Sequence, residues 1–335
     1  MKLLVEPVDL QRQRSTKNLS KREGMEMTRF ALIVLLASLA TSPAYAQCDI
    51  TQSVCALAGS YDPDPNNLGN NPDNTSPTCD LHRPVSTTEI KLAFDAASPQ
   101  VRTDLCQISK IFVAPNIHSW GRYNSPLYHP HDNPGATYIV IGQAYLNRNF
   151  SATQDDHSKL LSMGASTHIK HASYGNNSDH HKYGLLYTMA HELGHIKWHQ
   201  LYPSTGSQPG IPCFDSVFGP SWQDTTGAKN NRWTAFGADI GAHQNTNIQK
   251  PMNATEADFF AIYNGDFVKN LGAEFVTGLG SANPEEDFVE AYALGVVDKA
   301  CDNCVFTINF ASYGSVVLFG RSTPDAKIAC AARYF

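Results

Sequence analysis

The 335-residue chain carries little charge of either sign: Asp, Glu, Lys and Arg together make up 17% of it, with 25 Lys and Arg against 31 Asp and Glu. No basic block occurs beyond the N-terminus, so the electrostatic footprint of a nucleic-acid binder is missing. The apolar run Phe30–Ala40 falls well short of the ~20 residues a membrane-spanning helix needs. No internal repeat is visible, which excludes a solenoid or propeller. There is no G-x-S-x-G segment, so the strained turn that presents a nucleophilic serine is not available. Cys301-Asp302-Asn303-Cys304 is a lone CxxC. It has no second pair to complete a structural zinc site and no βαβ setting for a redox role. Asp62, Asp64 and Asn66 alternate as in a calcium loop, but the Gly and the distal Glu of that loop are missing.

What is present begins with a targeting segment. Lys21, Arg22 and Arg29 precede the apolar run, and Ala44-Tyr45-Ala46 follows it as an A-x-A cleavage site. Residues 27–46 therefore read as a signal peptide, with Gln47 as the mature N-terminus and a secreted or periplasmic destination. Residues 1–26 are polar, lack apolar periodicity and run into the later start candidates Met25 and Met27. They read as a mis-assigned or dispensable extension. Cleavage would remove seven of the 25 basic and four of the 31 acidic residues, leaving 18 and 27. All eight Cys lie in the mature part, as expected of disulfides formed in an oxidising compartment.

With 42% hydrophobic residues over its 335 positions, the chain can bury one large or two modest cores. Residues 58–87 are rich in Asp, Asn, Pro, Gly and Ser, and 47–87 is expected to form an irregular arm or linker, pinned by Cys55 and Cys79. A pro-segment role is open there, because Cys48, Cys55 or Cys79 could ligate a metal in a latent form. The main domain is expected over 88–335. Ser86-Thr87-Thr88-Glu89 has the form of a capping box, Pro99 opens a second helix to Ile108, and KIFVA (110–114) and TYIVIG (137–142) read as buried strands. The polar, His-containing stretches 115–136 and 148–182 read as long loops.

Tyr183 to His199 is a helix with an apolar stripe of Leu186, Met189, Leu193 and Ile196, capped by Asp179 or Ser178 and ended by Pro203 and Gly206. It carries His191-Glu192-Leu193-Gly194-His195. Two His at i and i+4 share a helix face and can bind one Zn²⁺, while the Glu between them reaches a metal-bound water. A catalytic zinc wants three protein ligands and one open position. The helix opened by Asn283-Pro284-Glu285-Glu286, with Pro at its start and acids in its first turn, supplies carboxylates. Glu286 and Glu290 stand four residues apart on one face. Glu290 can accept a hydrogen bond from the far nitrogen of a ligating His. The extended HExxHxxGxxH pattern fails, because Trp198 and Leu201 occupy its Gly and His positions.

HELGH followed well downstream by an E-D-F-x-E-x-Y-A helix resembles the gluzincin metallopeptidases, in the short-motif form that anthrax lethal factor carries; thermolysin is a more distant likeness. The resemblance is confined to about 182–199 and 284–295. It implies an α+β, zincin-like metallopeptidase fold, with a small mixed sheet, an active-site helix and a mainly helical C-terminal part. It also implies His191, His195 and Glu286 as ligands of one Zn²⁺, Glu192 as general base, Glu290 as the acid behind a ligand, and a protein or peptide substrate. The oxyanion stabiliser is not assigned: the position seven before Glu286 is Leu279, and Tyr292, Tyr263, His243 and Tyr183 are candidates only. Two alternatives stay open. One is a zincin-like domain that binds a partner without hydrolysis. The other is an aspzincin-type peptidase with Asp239 of Phe236-Gly237-Ala238-Asp239 as third ligand.

Overall fold

In a computed structural model, the described residues are 48–58, 78–115, 121–124, 138–161, 169–174, 179–201, 213–218, 256–257, 260, 263, 275–281, 284–301, 304–318 and 322–335. They belong to one unit, Cys48–Phe335. The signal-peptide reading of 27–46, the extension 1–26, Asp239 and His243 lie outside the described residues.

Two small sheets are present. The first has strand order β1-β2-β4-β3, from β1 (Val54–Ala56), β2 (Lys110–Ala114), β3 (Gly121–Asn124) and β4 (Tyr138–Gly142). β1, β2 and β4 run parallel, and β3 lies antiparallel along the β4 edge. Parallel strands are buried on both faces and so read as continuous apolar runs. Ile111, Val113, Ile139 and Ile141 join the main core. Phe112, Ala114, Tyr138 and Val140 form a second cluster with Leu57 on the opposite face. There Phe112 and Tyr138 meet edge to face at 5.6 Å.

The expectation of an irregular arm over 47–87 does not hold for its two ends. Val54–Ala56 is a sheet strand, and the Cys55–Cys79 disulfide packs against the outer cluster. The physical reason is that a parallel sheet needs cover on its second face. Cys48 is bonded to Cys106, so Cys48, Cys55 and Cys79 are all engaged in disulfides and none is free to act as a latent metal ligand. Cys213–Cys330 and Cys301–Cys304 complete four disulfides, and no cysteine is free. Such a framework fits an oxidising, extracytoplasmic setting.

α1 (Thr88–Ala96) starts one residue later than the capping-box reading, with Thr87 as N-cap and no side-chain cap bond. α2 (Pro99–Cys106) is capped by Ser98, whose Oγ accepts from the Val101 N–H. The stretch 148–182 is not one loop. It contains α3 (Phe150–Leu161) and β5 (Ile169–Tyr174). Asp179 does not cap the following helix: its Oδ1 accepts from the Ser151 N–H at the start of α3.

α4 (His181–Leu201) packs against α1, α3 and β3 and most extensively against α6. A single turn, α5 (Phe214–Val217), precedes α6 (Pro284–Ala300). The C-terminal part is less helical than expected. Between α6 and α7 (Ser322–Ala331) lie β6 (Val305–Phe310) and β7 (Gly314–Val317); β6 pairs antiparallel with both β5 and β7 in a second sheet of order β5-β6-β7. Among the described residues no helix is long and apolar enough to cross a membrane.

Candidate metal centre

Helix α4 delivers His191, Glu192 and His195, and helix α6 delivers Glu285, Glu286 and Glu290. The two helices cross closely because Gly194 leaves room. A Cβ there would stand 3.3 Å from both the Cα and the Cγ1 of Val289. Leu186, Met189, Leu193 and Ile196 are buried as the apolar stripe requires. That stripe fixes the rotation of α4, so His191 and His195 point at the start of α6.

His191 Nε2 and His195 Nε2 lie 3.2 Å apart. Glu286 Oε2 is 3.6 Å from His191 Nε2, and Glu286 Oε1 is 3.6 Å from His195 Nε2. Four tetrahedral donors at ~2.0–2.1 Å from a zinc ion are about 3.3 Å from one another. The two nitrogens are separated by about such a donor–donor distance, and one ligand atom from each of the three residues lies within 4.8 Å of the others. His191, His195 and Glu286 can hold a metal ion.

The outer nitrogen of each His is held by a carboxylate. His191 Nδ1 donates to Glu290 Oε1 at 2.8 Å, and His195 Nδ1 donates to Glu285 Oε1 at 2.6 Å. With each ring's proton on Nδ1, both Nε2 lone pairs face inward. Two inward lone pairs 3.2 Å apart repel unless a proton or a cation lies between them. Burial works against a charged His195 ring, but the carboxylates of Glu286, Glu285 and Glu192 outweigh it and hold its pKa up at about 9. Burial pushes the Glu286 carboxyl upward, and His195 and His191 counter only part of that.

Glu290 is fully buried and so needs several donors. Besides His191 it receives the Tyr187 hydroxyl at 2.6 Å and the Thr277 hydroxyl at 2.5 Å. Thr277 Oγ1 in turn accepts from the Gly280 N–H at 3.0 Å. Burial, with the Glu290 charge beside it, keeps the Tyr187 hydroxyl protonated far above its ordinary range. Glu192 is 2% exposed and sits on α4 between the two histidines.

The oxyanion candidates are placed less usefully. Tyr292 is buried in the core, edge-on to Phe335 at 5.3 Å. Tyr263 accepts from the Gly278 N–H at 2.7 Å. Tyr183 lies under the Lys182 ammonium. Sequence reasoning missed Glu285, Tyr187 and Thr277. Tyr187 had a local signal: it stands one turn before His191, on the same face of α4. Thr277 had none.

Set against protein-family models, curated proteins and solved structures, the chain matches none.

Proposed function

We propose that this chain is a secreted, zinc-dependent peptidase of the gluzincin type, and that its zincin-like site is the α4–α6 crossing. The observation that carries the reading is the convergence of three side chains: His191 Nε2 and His195 Nε2 lie 3.2 Å apart, and each lies 3.6 Å from one of the two Glu286 oxygens. Two imidazoles and one carboxylate are the donor set of a zinc site that keeps a fourth position open. Bound there, Zn²⁺ supplies Lewis acidity and lowers the pKa of water towards ~7. His191 and His195 would hold the ion as neutral ligands, with Glu290 and Glu285 accepting from their outer nitrogens. Glu192 takes a proton from the attacking water and delivers it to the leaving amine nitrogen. Burial of the centre strengthens each of these charge interactions.

A peptide fits the surroundings. β3 has β4 on one side and, among the described residues, no strand on the other; it also packs against α4. An extended peptide can add to such an edge through main-chain hydrogen bonds. The closeness of Glu286 to both histidines supports it over Asp239 as the third ligand.

One observation favours a second reading, a zincin-like domain that holds zinc and binds a partner without hydrolysis. Among the described residues Tyr292 is wholly buried, the Tyr263 hydroxyl accepts from the Gly278 N–H and the Tyr187 hydroxyl donates to Glu290, so none of the three is offered as an oxyanion stabiliser.

Zinc content and casein cleavage separate these readings. Wild type is expected to bind about one zinc and His195→Ala to lose it. Glu192→Gln should keep zinc and lose cleavage by roughly 10²–10⁴-fold. A wild type without zinc sinks both readings. Zinc without cleavage of casein or a peptide library leaves the second.

A further inference from the structure

Helix α2 joins the α4–α6 crossing through a buried carboxylate. Asp104 is 5% exposed, and its Oδ1 accepts from Lys197 Nζ of α4 at 2.8 Å and from Gln100 Nε2 at 3.3 Å. Its other oxygen, Oδ2, is buried and has no hydrogen-bond partner among the described residues. The same holds for the hydroxyl of Tyr292 on α6. An unbonded polar group inside a fold costs free energy, and native interiors leave few of them. From this geometry we infer that Tyr292 and Asp104 are the two ends of a binding site for one internal water molecule, which links α6 to α2 beside α4.

The two side chains converge on one face of α4. The Tyr292 ring lies against Gly194: a Cβ added there would stand 3.5 Å from Tyr292 Cδ1. Lys197 is three residues further along α4 and so projects from the same face. Its ammonium draws Asp104 to that face. The chemistry of the two atoms is complementary. Burial, and after it the Asp104 charge, hold the Tyr292 hydroxyl protonated far above its ordinary range, so it is a donor. A carboxylate oxygen only accepts. The two atoms do not bond to each other. A water accepts from the hydroxyl and donates to Oδ2, and so satisfies both at once. A metal cation suits the place less, because Lys197 already neutralises the carboxylate and a protonated hydroxyl is a weak ligand. Tyr292 is fully buried and meets Phe335 edge-on at 5.3 Å, so bulk solvent does not serve its hydroxyl. The water site is independent of the proposed zinc site. It also gives Tyr292, a candidate oxyanion stabiliser, another occupation: its hydroxyl joins two helices.

The alternatives are a hydroxyl left unbonded in the core and a direct bond from Tyr292 to Asp104. A high-resolution crystal structure of the purified protein, together with urea unfolding of Tyr292→Phe, separates them. The electron density is expected to show one ordered water within about 3.2 Å of both Tyr292 Oη and Asp104 Oδ2. Tyr292→Phe removes only the hydroxyl and keeps the ring against Gly194. It should lower the urea midpoint by about 0.5 M, because the bridge is lost and Asp104 Oδ2 stays buried. An unbonded hydroxyl behaves in the opposite way: its removal leaves the midpoint unchanged or raises it. That result overturns the water site. So does a structure in which the hydroxyl reaches Oδ2 directly, or one with no density between the two atoms, whatever the variant's midpoint.

Discussion

Lys327 Nζ lies 2.6 Å from Asp287 Oδ2, and both side chains are wholly buried. Asp287 is the residue after the ligand Glu286, and Lys327 belongs to the last helix, α7. The ammonium also lies over the rings of Phe275 at 4.8 Å and Phe218 at 5.5 Å. The C-terminal helix is thereby fastened to the turn of α6 that carries the metal-binding carboxylate. Removing one partner of a buried pair leaves an uncompensated charge, which costs about 3–5 kcal/mol. Lys327→Met should lower unfolding stability in urea by that amount. Asp287→Asn combined with Lys327→Met should recover part of it. The exposed pair Lys91–Asp95, at 2.6 Å but half in solvent, sets the contrast: Lys91→Met should cost about 0.5 kcal/mol or less. Equal losses in the two variants would show that the buried pair does not fasten α7 to α6.

Gly194 sets the distance between the two site helices. An added Cβ would meet the Val289 backbone at 3.3 Å, tighter than ordinary contact and with main chain on the far side. Gly194→Ala should therefore push α6 away from α4 and draw Glu286 off the histidines. Overpacking of this kind costs about 1–3 kcal/mol. Zinc affinity is expected to fall together with the urea midpoint, although Ala is the better helix former. A variant that gains stability and keeps its zinc affinity would mean the crossing has slack.

The part of the site that could be read from the sequence is the part fixed by local geometry. His191, Glu192 and His195 are set by helical spacing alone. Glu286 and Glu290 are set by an acid pattern on a second helix. Glu285 could not be read, because whether it faces His195 depends on the rotation of α6, and contacts such as Val289 on Gly194 decide that. Thr277 reaches Glu290 from a segment with no regular pattern. Lys327 and Asp287 are forty residues apart in sequence, and neither shows in its own neighbourhood that it is paired. The strands of the second sheet follow the same division. Phe306, Ile308 and Phe310 alternate and are buried, a signal present in the sequence. β5 (IKHASY) is polar and becomes a strand through its pairing with β6. A likeness confined to two helices carries no information about a sheet elsewhere in the chain.

The raised pKa of His195 has a definite sign in the metal-free protein. The group titrates near 6.5 when unfolded and at about 9 when folded. Its contribution is fully present below pH 6.5 and is lost as pH rises through about 9. Glu286, whose carboxyl burial raises, acts in the same sense at lower pH. In the presence of a chelator the urea midpoint should thus fall between pH 6.5 and 9.5, and His195→Gln should flatten that fall. Zinc competes with the same proton, so zinc affinity should rise over the window while the metal-free protein weakens. A midpoint that rises with pH in wild type would show that the Glu285, Glu286 and Glu192 carboxylates do not hold a proton on His195.

The four disulfides should differ in weight according to the chain they close. Cys213–Cys330 spans 117 residues, and Cys301–Cys304 spans three. On the chain-entropy account, loss of the first removes about 5 kcal/mol and loss of the second about 2 kcal/mol. The first also ties α7, and with it Lys327, to the start of α5. Cys213→Ser with Cys330→Ser should therefore lower the urea midpoint more than Cys301→Ser with Cys304→Ser. It should also weaken zinc binding, because Asp287 and its neighbour Glu286 lose a brace. Cys301 lies just beyond the C-terminus of α6, at the far end from the metal centre, so its pair should affect stability and leave zinc affinity unchanged. Chelator competition on the two double variants checks both statements. Equal zinc affinities would mean that the C-terminal helix stabilises the fold without bearing on the metal centre.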